Sequence, residues 1–205
     1  MNISWIDWVV ELQSIAQAGL FYSKDIYDKE RFERIRAITA EMMSKMSDLP
    51  IETVKDLFCN ETGYQTPKID TRAAIFQENK ILLVKEKSTK TWSLPGGWVD
   101  VNESVKENTI KEVREEAGLE VEAVKLIAVQ DRNKHNKPQY AYGICKIFVL
   151  CDILSGGFMP NSETTESNFF SIEDLPELAN EKNTAEQIRM CFEAYRDKNW
   201  IAKFD

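Results

Sequence analysis

Glu112, Glu115 and Glu116 stand at positions i, i+3 and i+4 of a 205-residue chain. On a helix this spacing puts all three carboxylates on one face, because residues three and four apart are surface neighbours. Like charges so placed cost a helix roughly 0.2–0.5 kcal/mol per pair. Folding alone gives no reason for that crowding. A hard divalent cation does, since Mg²⁺ takes oxygen ligands in an octahedral shell and keeps several of its waters. Upstream, Leu94-Pro95-Gly96-Gly97 supplies paired glycines, which let backbone approach a ligand closely.

The flanking residues predict the helix that these carboxylates need. Ser104 with Glu107 makes a capping box, a hydroxyl N-cap and a carboxylate three residues on. Val105, Ile110, Val113 and Ala117 form an apolar stripe that would seat the helix. Gly118 stands where a left-handed residue would end it. The whole stretch from Gly97 to Leu119, GWVDVNESVKENTIKEVREEAGL, resembles the Nudix box, G-x5-E-x7-R-E-U-x-E-E-x-G-U with U aliphatic. Gly97, Glu103, Glu112, Val113, Glu115, Glu116, Gly118 and Leu119 all match. Lys111 stands where the box has arginine.

The resemblance implies that Glu112, Glu115 and Glu116 bind Mg²⁺ or Mn²⁺, with the carbonyl of Gly97 as a further ligand. It implies water attack on one phosphorus of a pyrophosphate linkage, with the other phosphate leaving. Glu103 then has a structural or anchoring role. The family's arginine holds a catalytic carboxylate through a forked contact, whereas Lys111 offers a point charge. The later stretch Asn161-Ser162-Glu163-Thr164-Thr165-Glu166 reads as a loop. By resemblance such a loop carries a further metal ligand or the general base, a role open to Glu163 or Glu166.

Substrate contacts are drawn from three places. Arg72 precedes an apolar run. The segment Gln130-Asp131-Arg132-Asn133-Lys134-His135-Asn136-Lys137 gathers cations in an otherwise acidic chain. It reads either as a phosphate-contacting loop, through Arg132 and His135, or as a solvated turn. Trp98, Tyr140, Tyr142, Phe169 and Phe170 could stack on a base, or serve as strand core residues.

Composition narrows the class. The formal net charge is −8, from 34 acidic and 26 basic residues, so neither nucleic acid nor anionic lipid gains an electrostatic pull. A phosphorylated ligand therefore needs metal ions for local positive charge. The N-terminus has no basic region of the signal-peptide kind, and no apolar run approaches the ~20 residues that span a bilayer. A cytoplasmic protein with reduced thiols at Cys59, Cys145, Cys151 and Cys191 is expected. One histidine and no C-x-x-C pair argue against a zinc site.

Stepping along the chain, residues 1–63 read as a small all-α domain. Ile3, Trp5, Ile6, Val9, Val10, Leu12 and Ile15 recur at helical spacing. A second helix is expected from about Asp28 to Met46, and a third from Pro50 burying Ile51, Val54, Leu57 and Phe58. Residues 1–63 hold seven basic and eleven acidic side chains, which argues against a DNA-binding module. Residues 64–205 alternate strands with helices, which implies a mixed sheet covered by helices. Strands are expected at 72–76 and 80–84, joined by a Glu78-Asn79 turn, then at 92–94, 121–129 and 140–150. Helices are expected at 173–178 and from the capping box Thr184–Gln187 to Lys198. The resemblance implies the Nudix α/β/α sandwich for this domain.

The N-terminal helices, the QDRNKH loop and the ETTE–FF–LP tail resemble the CDP-choline pyrophosphatase type of Nudix hydrolase. That type is close to ADP-ribose pyrophosphatases carrying the same N-terminal domain. The resemblance implies hydrolysis of a nucleoside diphosphate linked to another moiety. CDP-choline, cut to CMP and phosphocholine, comes first and ADP-ribose second. A non-catalytic nucleotide sensor and nucleoside triphosphate hydrolysis are the remaining readings. The N-terminal domain is expected to pair two copies as a homodimer and to support the substrate pocket. A domain of about 60 residues is marginal alone, and its first helix is apolar on more than one stripe.

Overall fold

The computed structural model describes residues 5–58 and 63–205, with the backbone alone for Leu57 and Phe58. Ile3, Cys59 and Thr62, together with the side chains expected to be buried at Leu57 and Phe58, lie outside the described residues. The chain divides into two compact units. One is Met1–Pro67 with Tyr140–Tyr142, the other Lys68–Gln139 with Gly143–Asp205.

The first unit holds α1 (Trp5–Tyr22), α2 (Ile26–Ser47) and α3 (Ile51–Phe58). Asp25 starts α2 because its carboxylate accepts the N–H groups of Tyr27 at 2.9 Å and Asp28 at 3.1 Å, which the first helical turn leaves unpaired. α1 and α2 approach closely at Gly19, where a Cβ would meet the Phe32 ring at 2.4 Å. Val9, Ala40, Met43 and Val54 form the core. Gln13 and Thr39 are buried beside it and satisfy one another through a 2.9 Å bond. Trp5, Trp8, Leu12 and Ile15 form a second, exposed stripe on α1.

The second unit is a seven-stranded mixed sheet in the order β3-β2-β1-β5-β4-β7, with β6 also paired to β2. Its strands are β1 (Lys68–Gln77), β2 (Lys80–Glu86), β3 (Trp92–Ser93), β4 (Leu119–Asp131), β5 (Ile144–Gly156), β6 (Thr164–Phe170) and β7 (Lys203–Phe204). β1 runs parallel to β5, and β4 parallel to β7. Glu78 and Asn79 turn β1 into β2 with positive φ values of 50° and 59°, the twist that suits a tight hairpin. Successive β1 side chains face opposite ways. Ala73 and Ile75 pack with Val113 and Ala117 of α4 (Val105–Ala117). Ala74 packs with Ile188, Cys191 and Phe192 of α6 (Ala185–Arg196). Helices thus cover both faces, as the expected sandwich requires. Between β4 and β5 lies one short helix, α5 (Arg132–His135).

Three expected elements differ. Thr164–Phe170 is a strand, where a loop was expected. Its Thr-Thr-Glu-Ser-Asn run has little intrinsic β signal, and pairing with Ile81–Glu86 of β2 supplies the order. Residues 173–178 form no helix. Pro176 lacks an N–H, and the segment instead joins β3, Trp92 N–H donating to the Glu177 carbonyl and Ala179 N–H to the Trp92 carbonyl, both at 2.9 Å. Tyr140–Gly143 precede β5 instead of starting it. Cys145, Cys151 and Cys191 are free thiols, and burial pushes the Cys151 thiol up to about 12. Among the described residues no helix is long and apolar enough to cross a membrane.

Candidate active site

α4 is built as its sequence dictates. Ser104 Oγ accepts the Glu107 N–H at 3.2 Å and Glu107 Oε2 accepts the Ser104 N–H at 2.8 Å, closing the capping box. Gly118 ends the helix at φ 67°, and a Cβ there would sit 2.5 Å from the Gly157 carbonyl. Val113 and Ala117 are fully buried. This fixes the rotation of the helix and hence the direction of its carboxylates.

The three glutamates meet different surroundings. Glu116 is buried, and its Oε2 accepts the Gly96 N–H at 2.9 Å. Burial pushes its carboxyl up to about 7, against the pull of Arg72, the Gly96 bond and Lys182. Glu112 is half-buried. Burial pushes it up to about 7 as well, Lys111 and Arg72 opposing, and Glu115 and Glu163 adding repulsion. Gly97 lies against it so closely that a Cβ would be 3.0 Å from Glu112 Oε2. Glu115 is exposed. Among the described residues no three acidic, His or Cys side chains already converge as a metal cage, since Glu116 is tucked under Gly96 and Glu115 faces out. The donor set nevertheless fits a hard cation: it is all oxygen, and burial pushes two of its carboxyls up to about 7. The Gly97 carbonyl accepts the Thr71 N–H at 2.9 Å, which leaves its second lone pair.

The loop before α4 is pinned by a network centred on Lys111. Its ammonium lies 2.8 Å from Glu103 Oε2 and 2.9 Å from Asp100 Oδ2, and these two bonds raise its pKa, Glu103 contributing most. Asn108 is fully buried; with its amide turned so that the oxygen accepts from Thr71 Oγ1 at 2.8 Å, its Nδ2 donates to the Trp98 carbonyl at 2.9 Å and to Glu103 Oε2 at 3.1 Å. One point charge thus holds two carboxylates, and a buried amide adds the directional contact that lysine lacks. Gly96 completes the loop at φ 143°, where a Cβ would overlap the Thr71 carbonyl at 1.9 Å.

Glu163 is carried to α4 by a second anchor. Asn161 Oδ1 accepts the N–H groups of Glu163 at 2.9 Å and Thr164 at 2.8 Å. Asn161 Nδ2 donates to the Glu115 carbonyl at 2.8 Å, and Thr164 Oγ1 to the Glu116 carbonyl at 2.7 Å. The loop therefore caps orphan carbonyls at the helix end. Glu163, Glu116, Glu86, Lys87, Ser88 and Lys182 line an open cleft of about 400 Å³. Glu166 sits elsewhere than the loop expected for it. It is on β6, opposite Lys85, with the two charges paired at 2.8 Å in an exposed position.

The expected substrate contacts are scattered. Arg72 is buried and engaged in a fork, Nη2 donating to Asp70 Oδ1 at 2.6 Å, Nε to Asp70 Oδ2 at 3.1 Å, and Nη1 to the Leu94 carbonyl at 3.2 Å. Lys146 shares the same carboxylate. Burial opposes the Asp70 charge, but both cations outweigh it and lower its pKa. Burial, then repulsion from Arg72, lowers Lys146 to about 8. Arg132 is buried on α5 and donates to the Pro138 carbonyl. His135 Nε2 lies 3.2 Å from Asp205 Oδ2. Within the 130–137 stretch, Gln130 and Asp131 end β4 and Arg132–His135 form α5, where a loop or turn was expected. Trp98 is half-exposed, bridged to Asp70 near the start of β1. Tyr140 packs on Tyr142, their rings 5.5 Å apart, and both belong to the helical unit. Asn108, Asn161, Glu86 and Lys182 were not singled out in the sequence. A buried asparagine inside an amphipathic helix is a poor helix former, and that mismatch was the available signal for Asn108.

Comparison with known proteins finds relatives along the whole chain. Residues 66–191 match the NUDIX domain family, and residues 4–58 match a UDP-X-like, N-terminal oligomerisation domain. A Bacillus subtilis protein named "Putative ADP-ribose pyrophosphatase YjhB" is 42% identical over all 205 residues, covering 99% of that protein. A crystal structure named as an ADP-ribose pyrophosphatase from Streptococcus suis shares 56% identity. It covers 68% of this chain and 100% of its own, with a TM-score of 0.64. A crystal structure named as a UDP-X diphosphatase shares 33% identity over 97% of each chain, with a TM-score of 0.65.

Proposed function

The chain belongs to the Nudix hydrolases, and from that premise we propose that it cleaves the pyrophosphate bond of ADP-ribose, using Mg²⁺ held by α4. The observation that carries this reading is the pair of carboxyls, half-buried Glu112 and buried Glu116, set against the glycine backbone at Gly96–Gly97. Arg72, Lys111 and Lys182 offset their burial only in part, leaving both carboxyls raised to about 7, and a divalent cation would complete the compensation.

Glu112, Glu115, Glu116 and the Gly97 carbonyl would hold the ion. When bound, it supplies positive charge to the diphosphate and acidifies a water. The chain's own residues do the rest. Glu112 and Glu116 give up their protons on loading, consistent with their raised pKa values near 7. Lys111, Glu103, Asp100 and Asn108 hold the Gly97 loop in place. Glu163, close enough to Glu112 to repel it, takes the proton of the attacking water. Glu166 is a weaker candidate for that role, because Lys85 occupies it.

The sequence resemblance ranked CDP-choline ahead of ADP-ribose. Relatives named as ADP-ribose pyrophosphatases favour the reverse order, so CDP-choline becomes the alternative. The helical unit, matching an oligomerisation domain, pairs two copies as a dimer.

A panel decides the substrate. The protein with Mg²⁺ is offered ADP-ribose, CDP-choline, UDP-sugars, NADH, diadenosine polyphosphates and nucleoside triphosphates, and products are identified by ³¹P NMR. AMP and ribose 5-phosphate from ADP-ribose, at the highest kcat/KM, are expected. Faster release of CMP and phosphocholine would install CDP-choline instead, and binding without turnover would favour the sensing reading.

A further inference from the structure

We propose that the open cleft beside Glu116 seats the non-nucleoside half of the substrate as a small phosphomonoester, with the Lys182 ammonium as its phosphate contact. This assignment rests on the hydrolase reading above and names a subsite within it.

The cleft lies where three backbone turns meet the end of α4. Lys87 N–H donates to the Glu163 carbonyl at 2.8 Å, which joins the turn after β2 to the turn before β6. Lys182 arrives from the segment ahead of α6. That segment is fastened to β3 and its extension, since Leu94 N–H donates to Asn183 Oδ1 at 2.7 Å. Leu94 stands two residues before Gly96, whose N–H holds Glu116. Glu116 and the neighbour of Lys182 are therefore tied to the same short stretch of backbone, Leu94–Gly96.

Lys182 is aimed by Glu86. The Glu86 carboxylate is largely buried, pairs with the Lys182 ammonium, and also accepts the Ser93 hydroxyl at 2.9 Å. An ammonium has three donors. One is used on Glu86, and about a third of the side chain remains exposed. The remaining donors serve an anion in the cleft, with the hydroxyls of Ser88 and Ser162 on its rim.

Size and chemistry identify which half of the substrate fits. At about 400 Å³ the cleft is at the small end of ligand sites. Its described lining holds no aromatic side chain, so it offers a base no face to stack on. Beside the carboxylates of Glu86, Glu116 and Glu163 it offers two lysines, Lys87 and Lys182, the hydroxyls of Ser88 and Ser162, and direct continuity with the end of α4. A phosphorylated sugar or phosphorylated amino-alcohol meets those groups, and a nucleoside does not.

Ribose 5-phosphate and phosphocholine are the probes, titrated by calorimetry into the full chain in the presence of Mg²⁺, with AMP as the control. Lys182→Gln should weaken the better phosphomonoester about tenfold or more, the scale of one charge-assisted hydrogen bond. Lys182→Arg should retain most of the affinity, and AMP binding should hold in both variants. Ser88→Asp, on an exposed turn, adds a carboxylate to the cleft without touching the fold and should weaken the same probe. Equal affinity in wild type and Lys182→Gln, no binding of either probe to wild type, or a loss confined to AMP would overturn the assignment. Because binding is read without turnover, a failure of the hydrolase reading shows separately, as an inert panel with the subsite intact.

Discussion

Lys111 illustrates how one residue can depart from a family pattern without emptying its role. Arginine would present a fork. Lysine cannot, and the chain answers with two acceptors, Glu103 at 2.8 Å and Asp100 at 2.9 Å, plus the Asn108 amide on Glu103. Lys111→Ala should therefore lower kcat/KM and weaken Mn²⁺ binding, read by electron paramagnetic resonance, while Lys111→Arg should keep both. No change in the alanine variant would make Lys111 an ordinary surface residue. Asn108→Ala should cost about 1–3 kcal/mol in denaturant unfolding, because it strands a buried hydroxyl and a carboxylate contact. The glutamates give a pH prediction. In the folded chain Glu112 and Glu116 titrate near 7, above their ordinary 4.5. The folded state then holds protons that the unfolded chain releases, so metal-free stability should fall as pH rises from about 4.5 to 7. Added Mg²⁺ should raise Tm far more at pH 8 than at pH 5. A Tm gain independent of pH would remove these carboxyls from the metal site.

At the scale of elements, what was legible was local. The Ser104 and Thr184 capping boxes, the Gly118 stop and the Glu78-Asn79 turn are signals within four residues of their effect, and each forms as expected. What was not legible was made by partners distant in sequence. β6 takes its order from β2, about 80 residues away, and Asn161 reaches the end of α4 across 46 positions. Residues 173–178 have helical composition, but β3 claims their backbone. The site divides in the same way. Glu112, Glu115 and Glu116 could be read from spacing, whereas Lys182 and Glu86 come together only through the sheet. Gly19 lets α1 reach Phe32, and Gly19→Ala should destabilise the helical unit by about 1–3 kcal/mol through overpacking. An unchanged unfolding midpoint would show that the ring moves freely aside.

For the whole molecule, the exposed stripe Trp5, Trp8, Leu12 and Ile15 on α1 is the feature a monomer explains least. Its 3-4-3 spacing is that of a helix seam, and the helical unit matches an oligomerisation domain. Sedimentation should report about twice the 23.7 kDa chain mass, and Trp8→Glu should shift the protein toward monomer. A wild-type monomer would contradict the pairing. The central claim, however, is that the α4 carboxylates make this chain a metal-dependent hydrolase. The most direct test is the steady-state rate of ADP-ribose hydrolysis with saturating Mg²⁺, wild type against Glu116→Gln. The expected result is AMP and ribose 5-phosphate from the wild type, none after chelation, and kcat lower by about 10²-fold or more in the variant. Equal rates in the two proteins, or full activity in chelator, would contradict it.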